Sequence, residues 1–253
     1  SMKDRAAFHL LKKVFTEKND KVDNLEIVIA SSGNFATSVA FFSKRYGFRA
    51  VTAFVPETAN NNKLERAKSY GAEIKKVSGY STDEARKVAQ KYVAEDFRHR
   101  IFIDQHNDLS NPQAYFETLG PEIYTQTGGR ITHFIQGIGT GGSLLGTTMY
   151  LKKHIPHIKT IGVLPSRGDT GIDGLRYIDV ERPETLTEIF KKYSCHIDKI
   201  IKVTETAALR TQVELSRIGY KVGMSTAANV YAAKQIAASV GETNIVLIFI
   251  DSC

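Results

Sequence analysis

Two short turns rich in small residues carry the residue types in this 253-residue chain that could do chemistry. Residues 132–146, THFIQGIGTGGSLLG, place five glycines within ten positions between an apolar run and a helical pattern. Residues 31–34, SSGN, stand in the same way between an apolar run and a second helical pattern. Glycine lets backbone N–H groups approach an anion, and a helix N-terminus attracts negative charge. Helix capping explains SSGN alone, but two such turns at strand ends favour an anion site, with phosphate as the first choice.

The glycine turn also satisfies the pattern GxGxxG over residues 137–142, which occurs in dinucleotide-binding proteins. That function requires an acidic residue at the end of the following strand, where it binds the ribose. The following strand candidate, residues 159–164, leads into Pro-Ser and not into an acid. The motif also lies on the fifth strand candidate rather than on the first. The sequence therefore disfavours a dinucleotide and leaves a different phosphate as the expected ligand.

The two turns must be held by an alternation of strands and helices. Eight short apolar or β-branched runs predict strands, at 25–30, 50–55, 73–77, 100–104, 131–136, 159–164, 199–203 and 244–250. Helical patterns separate most of these runs. Strands buried on both faces, each followed by a helix, are typical of a parallel α/β fold. A polar segment at 105–112, QHNDLSNP, predicts a boundary between a domain of residues 1–110 and a domain of residues 111–253.

The composition disfavours several classes of protein. Apolar residues make up 42% and charged residues 24%, as in a globular rather than a disordered chain. The net charge of +7 is spread over helical patterns that also carry acids, which favours small anionic substrates over nucleic acid. Cys195 and Cys253 lie far apart, which indicates a reducing, cytoplasmic setting without a disulfide. His9, His99 and His106 lack metal-ligand spacing, and no apolar run is long enough for a bilayer, so we expect neither metal nor membrane.

Three motifs together resemble a known family. Residues 1–7, SMKDRAA, are similar to the S-x-K-D-R-x-A signature around the Schiff-base lysine of fold-type II pyridoxal phosphate enzymes. SSGNFA at 31–36 resembles the T/S-S-G-N-T-G loop of these enzymes, and GTGGS at 139–143 resembles their phosphate-binding G-T-G-G-T turn. Further matches follow in the family's order over nearly the whole chain, and they are most similar to the cysteine synthase and cystathionine β-synthase branch. The resemblance implies two three-layer αβα domains with parallel sheets, as in the tryptophan synthase β fold.

The resemblance also implies a role for individual residues. Lys3 would hold pyridoxal 5′-phosphate as a Schiff base and later move the proton of the substrate α-carbon. Asn34 would hydrogen-bond the cofactor 3′-oxygen, and Ser252 would face the pyridine nitrogen, where a hydroxyl favours β-elimination. The cofactor phosphate would bind the glycine turn, through Gly139, Thr140, Gly141, Gly142 and Ser143. The expected substrate-binding residues are Ser31, Ser32, Gly33, Asn34, Phe35, Gln105 and Arg176.

Two features bear on the identity of the substrate. Phe35 stands where the sulfhydrylases usually carry a small threonine, so it would narrow or reshape the substrate pocket. Arg176 lies in a segment that resembles sulfhydrylases using O-phosphoserine, where an arginine meets the substrate phosphate. The alternative is a surface arginine paired with Asp173 or Asp179.

The resemblance implies a cysteine synthase that eliminates the leaving group of O-phosphoserine or O-acetylserine and adds sulfide. Two alternatives stay open. One is the condensation of serine with homocysteine, as in cystathionine β-synthase, and the other is a catalytically idle chain that acts as an interaction protein. We expect an amino-acid substrate and sulfide as small-molecule partners, and a homodimer. Because the family pattern extends beyond both ends of this sequence, we also expect it to be a fragment of a longer chain.

Overall fold

The computed structural model describes residues 2–19, 21–59, 61–79, 81–168, 171–179, 182 and 186–250, apart from the side chains of residues 62 and 63. The chain divides into two compact units. The N-terminal unit is Lys3–Asp108, and the C-terminal unit is Leu109–Cys253 together with Ser1–Met2. Each unit contains one parallel four-stranded sheet.

The N-terminal unit alternates helices and strands from the helix that carries Lys3 onward. Its helices are α1 (Met2–Glu17), α2 (Asn34–Tyr46), α3 (Asn61–Ser69) and α4 (Thr82–Glu95), and its strands are β1 (Glu26–Ala30), β2 (Ala50–Pro56), β3 (Ala72–Val77) and β4 (Arg100–Phe102). Helix α2 ends at Gly47, whose φ of 80° is left-handed and suits glycine. Helix α4 begins with a capping box between Ser81 and Glu84.

The N-terminal sheet has the strand order β3-β2-β1-β4, and every neighbouring pair is parallel. The central strand β1 is buried along its whole length. Val28 and Ala30 on one of its faces pack with Ala85 and Ala89 of α4, and the residues between them point to the opposite face because side chains alternate along a strand. This packing fixes the carboxyl end of β1, where the SSGN turn begins.

The C-terminal unit repeats the alternation. Its helices are α5 (Ser110–Glu117), α6 (Leu119–Thr127), α7 (Gly142–His154), α8 (Glu188–Tyr193), α9 (Glu205–Arg217) and α10 (Met224–Ser239), and its strands are β5 (His133–Gly137), β6 (Lys159–Pro165), β7 (Lys199–Val203) and β8 (Ile245–Leu247). Helix α9 is capped by Thr204, whose hydroxyl accepts the N–H of Ala207.

The C-terminal sheet has the order β7-β6-β5-β8, again with parallel pairs throughout. On one face, Ile135 and Ile161 pack with Ala228 and Ala232 of α10. On the other face Gly162 brings β6 close to α7, since a Cβ at this residue would lie 3.2 Å from Leu144. The glycine turn, residues 137–142, therefore begins at the last residue of the central strand β5 and ends at the first residue of α7, which packs on the same sheet.

The predicted parallel α/β fold is confirmed, and a strand lies at each of the eight predicted positions. The largest differences are at β4 and β8, which are two and four residues shorter than predicted. β4 ends at Phe102, and the side chain of Asp104 binds the backbone of the turn that follows. β8 ends at Leu247, and the N–H of Ile250 donates to the hydroxyl of Thr226 at 3.0 Å instead of to a strand. The polar segment 105–112 contains the start of α5, which tolerates Pro112 because proline is accepted in a first helical turn. Within the described ranges, no helix is both long enough and apolar enough to cross a membrane.

Candidate functional site

The SSGN turn presents the N-terminus of α2. Gly33 is the N-cap residue in an extended conformation, and no side chain caps the helix there. The first N–H groups of a helix have no acceptor within the helix, and they carry partial positive charge. Ser31 is buried, whereas the side chain of Asn34 is exposed. Among the described residues, no atom lies within 4 Å of the position that a Cβ on Gly33 would take. The turn therefore offers donors and open space to a small carboxylate.

Lys3 and Gln105 meet in the N-terminal unit. Lys3 lies in the first turn of α1, and its Nζ donates to Oε1 of Gln105 over a long 3.4 Å. Gln105 is buried in the turn after β4. Desolvation lowers the pKa of Lys3 from 10.5 to about 8, because burial disfavours the charged amine. A substantial fraction of Lys3 is therefore neutral near neutral pH, which is the form that attacks a carbonyl carbon.

Asp4, the neighbour of Lys3, joins α1 to α2. The hydroxyl of Ser38 lies 2.6 Å from Oδ1 of Asp4 and 2.9 Å from the carbonyl oxygen of Asn34. A hydroxyl carries one proton, so these two acceptors share it. Ser38 is buried. Ser38 thus connects the helix that carries Lys3 to the first turn of α2.

The glycine turn of the C-terminal unit lacks side chains at positions where neighbouring atoms leave no room for them. A Cβ on Gly139 would lie 2.6 Å from the carbonyl oxygen of Gly174, and a Cβ on Gly142 would collide with the side-chain amide of Asn111. Gly141 has a φ of 88°, a left-handed conformation that residues with a Cβ rarely adopt. Close neighbours leave no room for a side chain at Gly139 or Gly142, and the left-handed backbone favours glycine at Gly141. The turn therefore exposes main chain rather than side chains.

The hydroxyl of Thr140 in this turn accepts two hydrogen bonds. Its Oγ1 accepts one hydrogen bond from Nδ2 of Asn111 and one from the N–H of Gly142, both at 3.2 Å. A hydroxyl has two acceptor positions and one proton. With both acceptor positions used, Thr140 can donate to an anion. The N–H of Gly142 is engaged inside the turn, so its predicted hydrogen bond to the cofactor phosphate stays a prediction.

The segment that carries Arg176 lies against the glycine turn. The backbone N–H of Arg176 donates to the carbonyl of Ile138 at 2.9 Å, and the contact between Gly174 and Gly139 lies two residues earlier in the segment. Asp179, one of the two acids considered as a partner of Arg176, forms an ion pair with Arg182 at 3.3 Å. The structure therefore places Arg176 beside the predicted phosphate turn.

The remaining predicted site residues differ in how far their side chains are buried. Ser32 and Ser143 are half-buried, the latter in the first turn of α7. Phe35 is only 1% exposed and belongs to the packed interior of its unit, so its contact with substrate stays a prediction. Ser252 lies outside the described residues.

Two residues that support the site, Asn111 and Ser38, were not predicted from the sequence. Asn111 is 29 residues from the Thr140 hydroxyl that it contacts, and Ser38 is 34 residues from Asp4. Neither spacing follows from a local period. The only available signal was a polar residue inside an otherwise apolar helical pattern, as with Ser38 in α2.

These features fit the pyridoxal phosphate that the motifs imply. A partly neutral lysine is the residue type that bonds to the aldehyde of this cofactor. A glycine-rich turn at the N-terminus of α7, with a threonine hydroxyl that can donate, suits the phosphate group. The fit rests on the space that a Cβ at Gly139 or Gly142 would fill and on the donor that Thr140 supplies.

Comparison with known proteins gives the same family. The model of the family described as pyridoxal-phosphate dependent enzyme matches residues 1–251. The chain is 32% identical to a cysteine synthase of Aquifex aeolicus over 98% of this chain and 75% of the relative. It is 29% identical to cysteine synthase B of Escherichia coli over 99% of this chain and 80% of the relative.

Among solved structures, an O-acetylserine dependent cystathionine β-synthase from Helicobacter pylori superposes with a TM-score of 0.87 at 26% identity, covering 100% of this chain and 82% of that one. A hydrogen sulfide-producing enzyme of Fusobacterium nucleatum gives a TM-score of 0.88 at 24% identity, covering 99% and 83%, and supports the fold alone. The motifs, the fold and the match over nearly the whole sequence agree: the chain belongs to the family of pyridoxal-phosphate dependent enzymes.

Proposed function

We propose that the chain is a cysteine synthase that replaces the β-substituent of an activated serine with sulfide. The observation that carries this proposal is the contact between Nζ of Lys3 and Gln105, where desolvation lowers the pKa of Lys3, in a chain 32% identical to a cysteine synthase. Overall, the β-carbon of O-acetylserine or O-phosphoserine loses acetate or phosphate and gains the sulfur of hydrogen sulfide, and the product is cysteine.

Lys3 performs two tasks in this proposal. Its neutral amine binds the cofactor covalently, and after the substrate amine replaces it, Nζ removes the proton from the substrate α-carbon. When bound, pyridoxal phosphate supplies an electron sink next to that carbon. Gln105 contacts Nζ and keeps the amine in place. The pKa of about 8 leaves Lys3 able both to accept and to release a proton near neutral pH.

The substrate carboxylate is proposed to bind the SSGN turn. Ser31, Ser32, Gly33 and Asn34 provide hydroxyl, amide and backbone donors at a helix N-terminus, which favours an anion by about 0.3–1 kcal/mol from the dipole alone. The open space at Gly33 allows the carboxylate to approach the backbone. Gln105 is the second proposed carboxylate ligand. We propose that carboxylate binding at this turn brings the α-carbon proton to the amine of Lys3.

The leaving group is proposed to be a phosphate. Arg176 follows a segment that contacts the glycine turn, and a guanidinium donates two parallel hydrogen bonds to a phosphate. We therefore propose O-phosphoserine as the preferred donor, with O-acetylserine as the slower one.

The deciding experiment incubates the cofactor-loaded protein with each donor and sulfide, and measures cysteine by mass spectrometry. Wild type should form cysteine, and Lys3→Ala should form at least a hundredfold less while melting as a folded protein. Cofactor bound to an intact Lys3 without turnover of any donor would instead support the catalytically idle alternative.

A second candidate is condensation with homocysteine in place of sulfide. The H. pylori structure that superposes on this chain is named as an O-acetylserine dependent cystathionine β-synthase. Adding homocysteine to the same reactions and measuring cystathionine separates the two acceptors. A higher kcat/KM for homocysteine than for sulfide would favour the second candidate.

We also propose a cytoplasmic homodimer. The support is the family resemblance and a sequence with two distant cysteines, of which Cys195 is an exposed free thiol. Sedimentation equilibrium of the cofactor-loaded protein tests the dimer, and a monomer at micromolar concentration would contradict it.

A further inference from the structure

Asp104 organises the turn that carries Gln105. Its Oδ1 accepts the backbone N–H of His106 at 3.1 Å, and its Oδ2 accepts Nδ2 of Asn107 at 3.0 Å. The carbonyl of Asp104 accepts the N–H of Asn107 at 3.2 Å and that of Asp108 at 2.9 Å. Asp104 thus bonds to the three residues 106–108 in one tight turn, and Gln105 lies inside that turn.

Arg86 of α4 holds the same carboxylate. Its Nε donates to Oδ2 of Asp104 at 2.9 Å, and its Nη2 donates to the same oxygen. The two side chains are 28% and 17% exposed, so water screens this pair less than a pair on the open surface. Arg86 is itself fixed, because the preceding Ala85 is buried against β1. The turn is therefore attached to the core of the N-terminal unit through one ion pair.

A second ion pair reaches the far end of the turn. Nζ of Lys13 in α1 lies 3.2 Å from Oδ2 of Asp108. This pair is more exposed, at 41% and 26%, and exposed pairs contribute about 0–1 kcal/mol. It joins the same turn and has the same charge type as the pair of Arg86 and Asp104, so it serves as a matched control.

We propose that Arg86 and Asp104 are positioning residues that hold Gln105 against Lys3 and against the substrate carboxylate. The part of the inference that concerns the substrate carboxylate rests on the proposed function, whereas the contact between Gln105 and Lys3 does not. Gln105 is buried, and its distance to Lys3 Nζ of 3.4 Å already lies near the limit of a hydrogen bond. A small relaxation of the turn breaks this contact. Through Asp104 and Gln105, the charge of Arg86 therefore determines substrate affinity. Arg86 lies on α4, a helix that carries no predicted site residue.

The first test measures the turn itself in the protein without substrate. Arg86→Met and Asp104→Asn should raise amide hydrogen exchange in residues 103–109 at least tenfold, whereas Lys13→Met should change it less than threefold. The exchange of β1 serves as an internal reference for global unfolding. Equal exchange in Arg86→Met and Lys13→Met would overturn the positioning role, and this result does not depend on any enzymatic activity.

The second test is a double-mutant cycle between Arg86 and Gln105. Arg86→Met should raise the KM for the amino-acid donor about tenfold, because Gln105 is the proposed ligand of the substrate carboxylate, and it should also lower kcat, because Gln105 contacts the amine of Lys3. In the Gln105→Ala background the same substitution should change KM less than twofold. Additive effects would show that Arg86 does not act through Gln105 and would overturn the proposal. If no donor is turned over, the proposed function fails, and the exchange measurement still decides the positioning role.

Discussion

The backbone N–H of Arg176 donates to the carbonyl of Ile138 at 2.9 Å. Ile138 stands between Gly137 and Gly139 in the turn predicted to bind the cofactor phosphate. A hydrogen bond between the two main chains fixes the position of the Arg176 backbone relative to that turn. The backbone of Arg176 is therefore held at the turn, although Arg176 lies 34 residues after Gly142 in the sequence.

Arg176→Ala should change which donor is preferred. A charge-assisted hydrogen bond contributes about 1.5–3 kcal/mol, so the preference for O-phosphoserine over O-acetylserine should fall about 10- to 150-fold. The measurement is kcat/KM for both donors with wild type and variant. Arg182→Ala is the matched control, since this arginine is in the same segment, is 70% exposed and pairs with Asp179. An unchanged donor ratio in Arg176→Ala would assign this arginine a structural role.

The pKa of Lys3 leads to a prediction for the protein without cofactor. With a pKa of about 8, about a quarter of Lys3 is neutral at pH 7.5, against about one part in a thousand for an ordinary lysine. The rate of cofactor attachment, trapped with borohydride and read on the Lys3 peptide by mass spectrometry, should rise with pH and level off above about 8. A rate still rising beyond pH 10 would contradict the lowered pKa.

The same pKa predicts a dependence of stability on pH. The folded value of about 8 is below the unfolded value of 10.5, so the unfolded chain binds more protons between these two pH values. The free energy of unfolding of the cofactor-free protein should therefore gain a rising contribution from pH 8 to pH 10.5. Below pH 8 both states are protonated and the contribution is constant. Lys3→Met should remove the rise, as measured by urea unfolding of both proteins across this range.

Much of this fold and part of the site follow from the sequence alone. The alternation of β-branched runs and helical patterns is local, so it predicts the strands at β1 and β5 and the turns that follow them. Lys3 and Thr140 are identified because each lies inside a short contiguous motif. The contacts that support them are not local. Asn111 reaches Thr140, and Ser38 reaches Asp4, only after the chain has folded.

The strand ends show the same limit. The apolar run 244–250 predicts seven strand residues, but only Ile245–Leu247 form β8. The hydroxyl of Thr226 on α10 accepts the N–H of Ile250, and no pattern in the run itself records that competition. Side chains that bind backbone groups from a distance decide where a strand stops, so its ends are less predictable than its centre.

Gly139→Ala should weaken cofactor binding. The added Cβ would lie 2.6 Å from the carbonyl oxygen of Gly174, a backbone atom that cannot rotate away, so the two segments must separate. We expect the dissociation constant of pyridoxal phosphate to rise at least tenfold and the free energy of unfolding to fall by about 1–3 kcal/mol. Gly241→Ala is the control, because no described atom lies within 4 Å of its Cβ position. Fluorescence titration with the cofactor gives the affinity, and equal affinities in the two variants would mean that the turn does not bind the phosphate.

Gly33→Ala should weaken binding of the amino-acid donor without changing the stability of the fold. Gly33 has a φ of −123°, which any residue adopts, and no described atom approaches its Cβ position, so the substitution should change the free energy of unfolding by less than about 0.5 kcal/mol. The same methyl group would occupy the space through which a carboxylate reaches the N-terminus of α2. We therefore expect KM for the donor to rise about tenfold, with cofactor affinity within twofold of wild type. Urea unfolding, cofactor titration and steady-state kinetics on one preparation give all three quantities. A Gly33→Ala protein with unchanged stability and unchanged KM would show that the substrate carboxylate binds elsewhere.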